Sequence, residues 1–419
     1  MVLPGHGRQY YRMGPDDFAP TDGFSPRWPF QPGELDSWYS LVESRIGLFG
    51  SRDGLQCLPD SRISQEISAT PPEAAFQALI HRRWPGRRAV LSRFTPPFDA
   101  LEAAASTGRL LIYQGAIVRQ IVVDEVGRAQ GVVWIDRRNG AENRAHAPLI
   151  FLCASPLEST RILLLSESPE CESGLDAATG VLGRYLMDHV MVTAEGFGPP
   201  LLPGASVLQG RCIYLPRFDH RALPAPQAGR GFGIQIYQRP EDGLRSHFFA
   251  ASFGEMLPRR ENCVTTLPTL RDPWGVPSLH IDCQHSDAEL AQARDQNTAL
   301  QEIAEAANVT LTRIDKIPLP PGSAIHECGT ARMGCDPATS VLDPYNQCWK
   351  ARGLYVTDAA CFPSQGTQNP TLTVLALTAR ACAHAIGHHT PSPEKITSGV
   401  LRRPIGLSLP CAPATLSSS

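Results

Sequence analysis

A chain of 419 residues, 42% hydrophobic and 19% charged, has the make-up of an ordinary globular protein, with room for two or three domains or for one domain carrying a large insertion. A net charge of −3 leaves no electrostatic footprint for nucleic acid, and no apolar run approaches the roughly 18 residues that a membrane span needs. The opening MVLPGHGRQYYRMGPDD has no charged segment followed by an apolar one, so no secretion signal is visible and the cytoplasm is the expected location.

Residues 1–35 are rich in Pro, Gly, Asp and aromatics and read as irregular chain. In GELDSWYSLVESRIGLFG (33–50), Leu35, Trp38, Tyr39, Val42 and Ile46 recur at helical spacing, and Gly47 and Gly50 stop the helix. A polar loop (51–71) leads to PPEAAFQALIHRRW (71–84), a short helix with Pro at its start. From residue 98 the style changes. FDALEAAASTG is an alanine-rich helix ended by Gly108. IVRQIVVD and AQGVVWID predict hairpin strands, with RNG as the next turn. APLIFLCAS is a continuous apolar run, the pattern of a strand buried on both faces, and PLESTRILLLSE reads as a helix with Pro156 in its first turn. Strand, turn and helix in that order are how α/β folds build ligand sites at strand ends.

Residues 190–285 alternate in the runs RCIYLPRF, FGIQIYQR, HFFAASFGEM and SLHIDCQH, separated by Pro- and Gly-rich turns, which predicts an antiparallel sheet. SDAELAQARDQNTALQEIAEAANV (286–309) is the clearest helix, with Ser286 as N-cap and Glu289 completing a capping box. The Pro-, Ser- and Leu-rich stretch 390–419 reads as a loosely held tail. Twelve cysteines are scattered with no C-x-x-C pair, and those in apolar runs are simplest as small buried hydrophobes.

Two C-terminal stretches carry chemistry. HECGTARMG (326–334) raises three readings for His326: a metal ligand, a general base or a core histidine. A zinc site from His326, Cys328 and Cys335 fits no common ligand spacing. Further on, GLYVTDAA is a short strand ending in Asp358, CFPSQGTQ is a loop, and NPTLTVLALTARACAHAIG is a helix with Asn369 as N-cap and Pro370 at its first position. The N–H groups of Thr371 and Leu372 have no helical partners, so the helix start favours an anion, or a ring that becomes anionic during reaction.

Read together, H-x-x-G-T-x-R-M-G, LYV-x-D-A and N-P-T-L-T resemble the C-terminal signature of the glucose–methanol–choline (GMC) oxidoreductases. His326 and Asn369 stand 43 residues apart, similar to the separation of that family's catalytic His and its His/Asn partner. GAIVRQI, LCASPLESTRILLLS and GRYLMDH (183–189) resemble further family segments. The likeness runs from about residue 98 to 387, and its N-P-T version is closest to the pyranose-oxidase-like His/Asn branches. It implies FAD as cofactor and oxidation of a CH–OH group of an alcohol or sugar. It gives His326 the role of base while the carbon-bound hydrogen passes as hydride to flavin N5, and Asn369 the role of fixing the substrate hydroxyl. It assigns flavin contacts to Val118, Asp358, Ala359, Pro370, Thr371 and Leu372, and no metal.

The family's G-x-G-x-x-G loop, which grips the pyrophosphate of FAD, is not found; GRGFG (229–233) has the wrong spacing. The fold implied is therefore an α/β FAD-binding domain, incomplete at its N-terminus, with an inserted antiparallel-sheet substrate domain. The expected boundaries are 1–97 for the irregular and helical remainder of the FAD domain, 98–189 for its continuation, 190–320 for the substrate domain, 321–389 for the return to the FAD domain and 390–419 for the tail. Two alternatives stay open: a non-catalytic remnant or subunit that needs a separate FAD-binding chain, and a flavin-free metal hydrolase built on His326. An electron-acceptor partner is also consistent with the resemblance.

Overall fold

The computed structural model describes residues 9–20, 23–31, 33–95, 100–166, 174–175, 180–201, 210–218 and 231–388. The fold is mixed α/β with several antiparallel sheets. The largest is six-stranded, ordered Thr310–Ile314, Val190–Gly198, Ser246–Gly254, Phe232–Pro240, Ile213–Phe218 and Val90–Leu91. Every pairing in it is antiparallel. The alternating runs produce it: Val192, Ala194, Ile234, Ile236, Phe248 and Ala250 are all buried.

The helix Asp287–Ala306 packs across Val190–Gly198 and Ser246–Gly254. Its start has the predicted box, with Ser286 Oγ accepting the Glu289 N–H at 3.4 Å and Glu289 accepting the Ser286 N–H at 2.6 Å. Gly254 allows the close approach: a Cβ there would lie 1.9 Å from Gln292 Oε1. The neighbouring Gln296 donates to the Val190 carbonyl at 3.0 Å and so ties down the start of that strand.

The antiparallel region is not one sheet. Cys263–Arg271 and Pro277–Asp282 leave it and join Arg184–Met187 and Cys328–Thr330 in a four-stranded sheet. A pairing between residues so far apart in sequence is invisible to local patterning. The two predicted hairpin strands, with Glu142–His146, form a separate three-stranded sheet.

Three local expectations are corrected. APLIFLCAS yields only the strand Ile150–Leu152, paired parallel with Leu354–Val356; Ile150 and Phe151 are half-buried rather than covered on both faces. The alanine-rich helix is short, Ala100–Ala105, and buries none of its residues. The C-terminal helix runs Thr371–Ala385 with Pro370 as its N-cap, not Asn369. It packs on Asp36–Ile46, where Tyr39 Oη and Thr373 Oγ1 are hydrogen-bonded at 2.7 Å. The tail 390–419 and part of GRGFG lie outside the described residues. Among the described residues no helix is long and apolar enough to cross a membrane.

Candidate active site

The four-stranded sheet builds the site by register. Cys328 pairs with Met187 in an antiparallel ladder. Continuing that ladder two residues beyond each strand puts His326 opposite His189. The rings meet: His189 Nδ1 and His326 Nδ1 are 2.8 Å apart, with the planes at 89°. On its far side, His189 Nε2 lies 2.8 Å from the Gly366 carbonyl oxygen. His326 Nε2 lies 3.2 Å from Asn369 Nδ2. Asn369 Oδ1 accepts from Gln235 Nε2 at 2.8 Å, and Tyr237 Oη donates to Gln235 Oε1 at 3.2 Å. One polar line thus crosses from the loop 361–368, through two imidazoles, to the large sheet.

This geometry also explains the helix boundary. The Asn369 side chain is held by Gln235 and His326 and is not turned back onto the first helical turn.

The backbone of His326 is fixed as firmly as its ring. Its N–H donates to Asp188 Oδ1 at 3.0 Å, and its carbonyl accepts from Gln365 Nε2 at 3.0 Å. The loop 361–368 is held in turn by Trp28 Nε1 donating to Ser364 Oγ at 2.9 Å and by Gln368 Nε2 donating to Asp17 Oδ2 at 3.1 Å.

His189 is 1% exposed, while His326 is half-buried. The Phe253 ring stands against both, with centroids 5.8 Å from His189 and 5.6 Å from His326. Enclosure by protein, with the neighbouring His189 adding to it, holds His326 well below the ordinary histidine value of 6.5. Burial likewise lowers His189, against the opposing pull of the Asp188 carboxylate and the Gly366 carbonyl. A neutral imidazole beside an amide, at a partly open surface, is equipped to take a proton from a hydroxyl near neutral pH.

The expected flavin contacts fall into distinct places. Asp358 caps the short helix Ala359–Cys361, accepting the Ala360 N–H at 3.0 Å and the Ser159 hydroxyl proton. Burial raises its pKa above the ordinary carboxylate value. Ala359, Pro370 and Leu372 are buried, whereas Thr371, at the first helical position, is exposed. The helix start therefore opens to the surface two residues from Asn369, and its N–H donors suit an anionic ring. Val118 is half-buried opposite Trp134 in the three-stranded sheet, a different sheet from those carrying the two histidines.

Cys328 is buried and donates its thiol to the His326 carbonyl at 2.9 Å, and Cys335 is exposed. Among the described residues no three His, Cys, Asp or Glu side chains converge on a metal position. Sequence reading missed His189, Asp188, Gln235 and Phe253 as parts of the site. GRYLMDH contained two of them, but only the 187–328 pairing reveals their use.

Residues 258–378 match the family model described as GMC oxidoreductase. The chain is 29% identical, over 84% of its length and 73% of the relative's, to 2-methyl-1,2-propanediol dehydrogenase of Mycolicibacterium austroafricanum. Its fold is similar to pyridoxine 4-oxidase from Mesorbium loti, with a TM-score of 0.63, 19% identity and coverage of 92% of this chain and 83% of that one. It is similar also to an FAD-dependent oxidoreductase from Chaetomium thermophilum, with a TM-score of 0.59, 15% identity and coverage of 90% and 84%.

Proposed function

We propose that this chain, a GMC-type oxidoreductase whose residues 258–378 match that family, oxidises a CH–OH group of a small alcohol or sugar with FAD as cofactor. His326 is the base and Asn369 its partner. The observation that carries the reading is the 3.2 Å contact between His326 Nε2 and Asn369 Nδ2, beside the open start of the helix Thr371–Ala385. The relative acting on a diol supports the substrate class.

FAD, when bound, supplies the acceptor for the hydrogen and two electrons that leave the substrate carbon. The remaining work belongs to this chain. A hydroxyl that takes the place of the Asn369 N–H at His326 Nε2 gives its proton to that nitrogen: the O–H bond breaks, an N–H bond forms, and, as the carbon-bound hydrogen leaves with two electrons, the oxygen becomes a carbonyl oxygen. Asn369 Nδ2 donates to that oxygen and fixes its angle. Gln235 holds the amide in place. The Phe253 ring packs against both imidazoles. The N–H groups at Thr371 and Leu372, with Asp358, Ala359, Pro370 and Val118, are the proposed flavin contacts.

The test is to purify the full chain, add FAD, desalt, and record flavin absorbance per protein, then assay alcohols and sugars with wild type and His326→Ala. Near-stoichiometric flavin and turnover lost in His326→Ala support the reading. Turnover unchanged in His326→Ala overturns it. A colourless protein supports the other reading, in which a separate FAD-binding chain completes the cofactor site.

A further inference from the structure

We infer that His189 is a positioning residue: it fixes His326 as the Nδ1–H tautomer, so that the Nε2 lone pair faces Asn369 and the substrate. The inference rests on the reading of His326 as the base and adds the device that makes it one.

The Gly366 carbonyl can only accept, so His189 Nε2, 2.8 Å away, carries a proton. In a neutral ring the other nitrogen then carries none, and His189 Nδ1 is an acceptor. His326 Nδ1, 2.8 Å from it, must be the donor. His326 Nε2 is left unprotonated, and the facing Asn369 Nδ2 donates to it at 3.2 Å. The Asn369 oxygen, turned the other way, accepts from Gln235 at 2.8 Å. Each contact satisfies the next, and the direction runs from Gly366 to the large sheet without a clash of like groups.

The neutral state this needs matches the surroundings. His189 is 1% exposed, and burial disfavours its charged form more than Asp188 favours it. Among the described residues neither ring is hydrogen-bonded to a carboxylate; Asp188 spends its oxygens on the N–H groups of Gly322, Ala324 and His326. A free imidazole in water prefers the Nε2–H form, which would point a proton, not a lone pair, at a substrate hydroxyl. The protein reverses that preference through one contact, buried beside Phe253.

The experiment is nitrogen NMR of the full chain labelled with ¹⁵N-histidine, with His326 assigned by its loss in His326→Ala. We expect a neutral His326 protonated at Nδ1. A His326 protonated at Nε2, or at both nitrogens, at pH 7.5 overturns the inference, whatever the activity. In His189→Phe, which keeps a ring but no acceptor, the Nδ1–H signal gives way to the Nε2–H form. In His189→Asn, whose Oδ1 takes the place of Nδ1, it is retained. With a substrate in hand, kcat/KM falls about 10- to 100-fold in His189→Phe, the range for groups that orient a metal-ligating histidine, and recovers in His189→Asn. A tautomer unchanged in a folded His189→Phe also overturns it. Should His189→Phe not fold, the wild-type spectrum decides alone. Full activity in His326→Ala would instead sink the assignment of the base, and the two failures are thereby distinguished.

Discussion

Asp188 holds the backbone of His326: its Oδ1 accepts the His326 N–H at 3.0 Å, while Oδ2 accepts those of Gly322 at 2.7 Å and Ala324 at 3.2 Å. Three donors on one carboxylate offset a strained neighbour, since Ile325 has φ of 58°, a left-handed conformation costly for a β-branched residue. Adjacent residues thus divide the work, Asp188 on the loop and His189 on the ring. Asp188→Asn keeps the shape but turns an amide N–H toward backbone donors. The expected cost is about 1–3 kcal/mol of stability, read as a fall of several degrees in Tm. A variant that melts with wild type would show that the carboxylate does not hold the loop.

His326→Gln removes the proposed base and keeps a polar side chain of similar reach. A fall in kcat of about 10²- to 10⁴-fold is expected, the range for loss of a positioned proton acceptor. Flavin content should be unchanged, because His326 bonds to His189 and Asn369 and not to the helix start. Absorbance and turnover on one preparation check both halves. A variant that loses flavin along with turnover would move His326 out of the base role.

Asn369→Asp tests the partner through pH. A carboxylate about 3 Å from His326 Nε2 would favour the charged imidazolium and raise a pKa that enclosure now holds well below 6.5. In the proposed reaction only the neutral ring can accept the substrate proton. The acid limb of kcat/KM should therefore move to higher pH in Asn369→Asp, while Asn369→Ala lowers the rate without that movement. A pH–rate profile over pH 5 to 9 makes the comparison, and coincident limbs would separate Asn369 from the titrating group.

Much of this was legible in the chain, and what was not has a common cause. His326 and Asn369 could be named because a short motif carries each, and Ser286–Glu289 because a capping box is local. His189 could not be given a role, since its meaning lies in the pairing of Met187 with Cys328. The same distance hid the departure of Cys263–Arg271 into a second sheet beside Arg184–Met187. Asn369 misled for the related reason that a cap competes with long-range bonds, and here Gln235 and His326 win. The apolar run at Ile150–Leu152 records the hydrophobicity of the segment, not what covers it.

The histidine pair should also set the acid limit of stability. Both imidazoles have folded pKa values pushed below 6.5 by enclosure. Between the folded and unfolded values the unfolded chain binds more protons than the folded one, so stability rises with pH there. Their contribution is full above about pH 6.5 and is lost as pH falls below it. His326 is held well below the ordinary value and His189 below it, so both take part in the loss. Glu73 acts elsewhere: its pKa is lowered from 4.5, with Arg211 and Thr70 outweighing burial, so its contribution is lost only at more acid pH. Urea unfolding at pH 7.5, 6.5 and 5.5 should show a drop in wild type that is reduced in His189→Asn and in His326→Gln. An equal drop in all three proteins would place the acid sensitivity outside this pair.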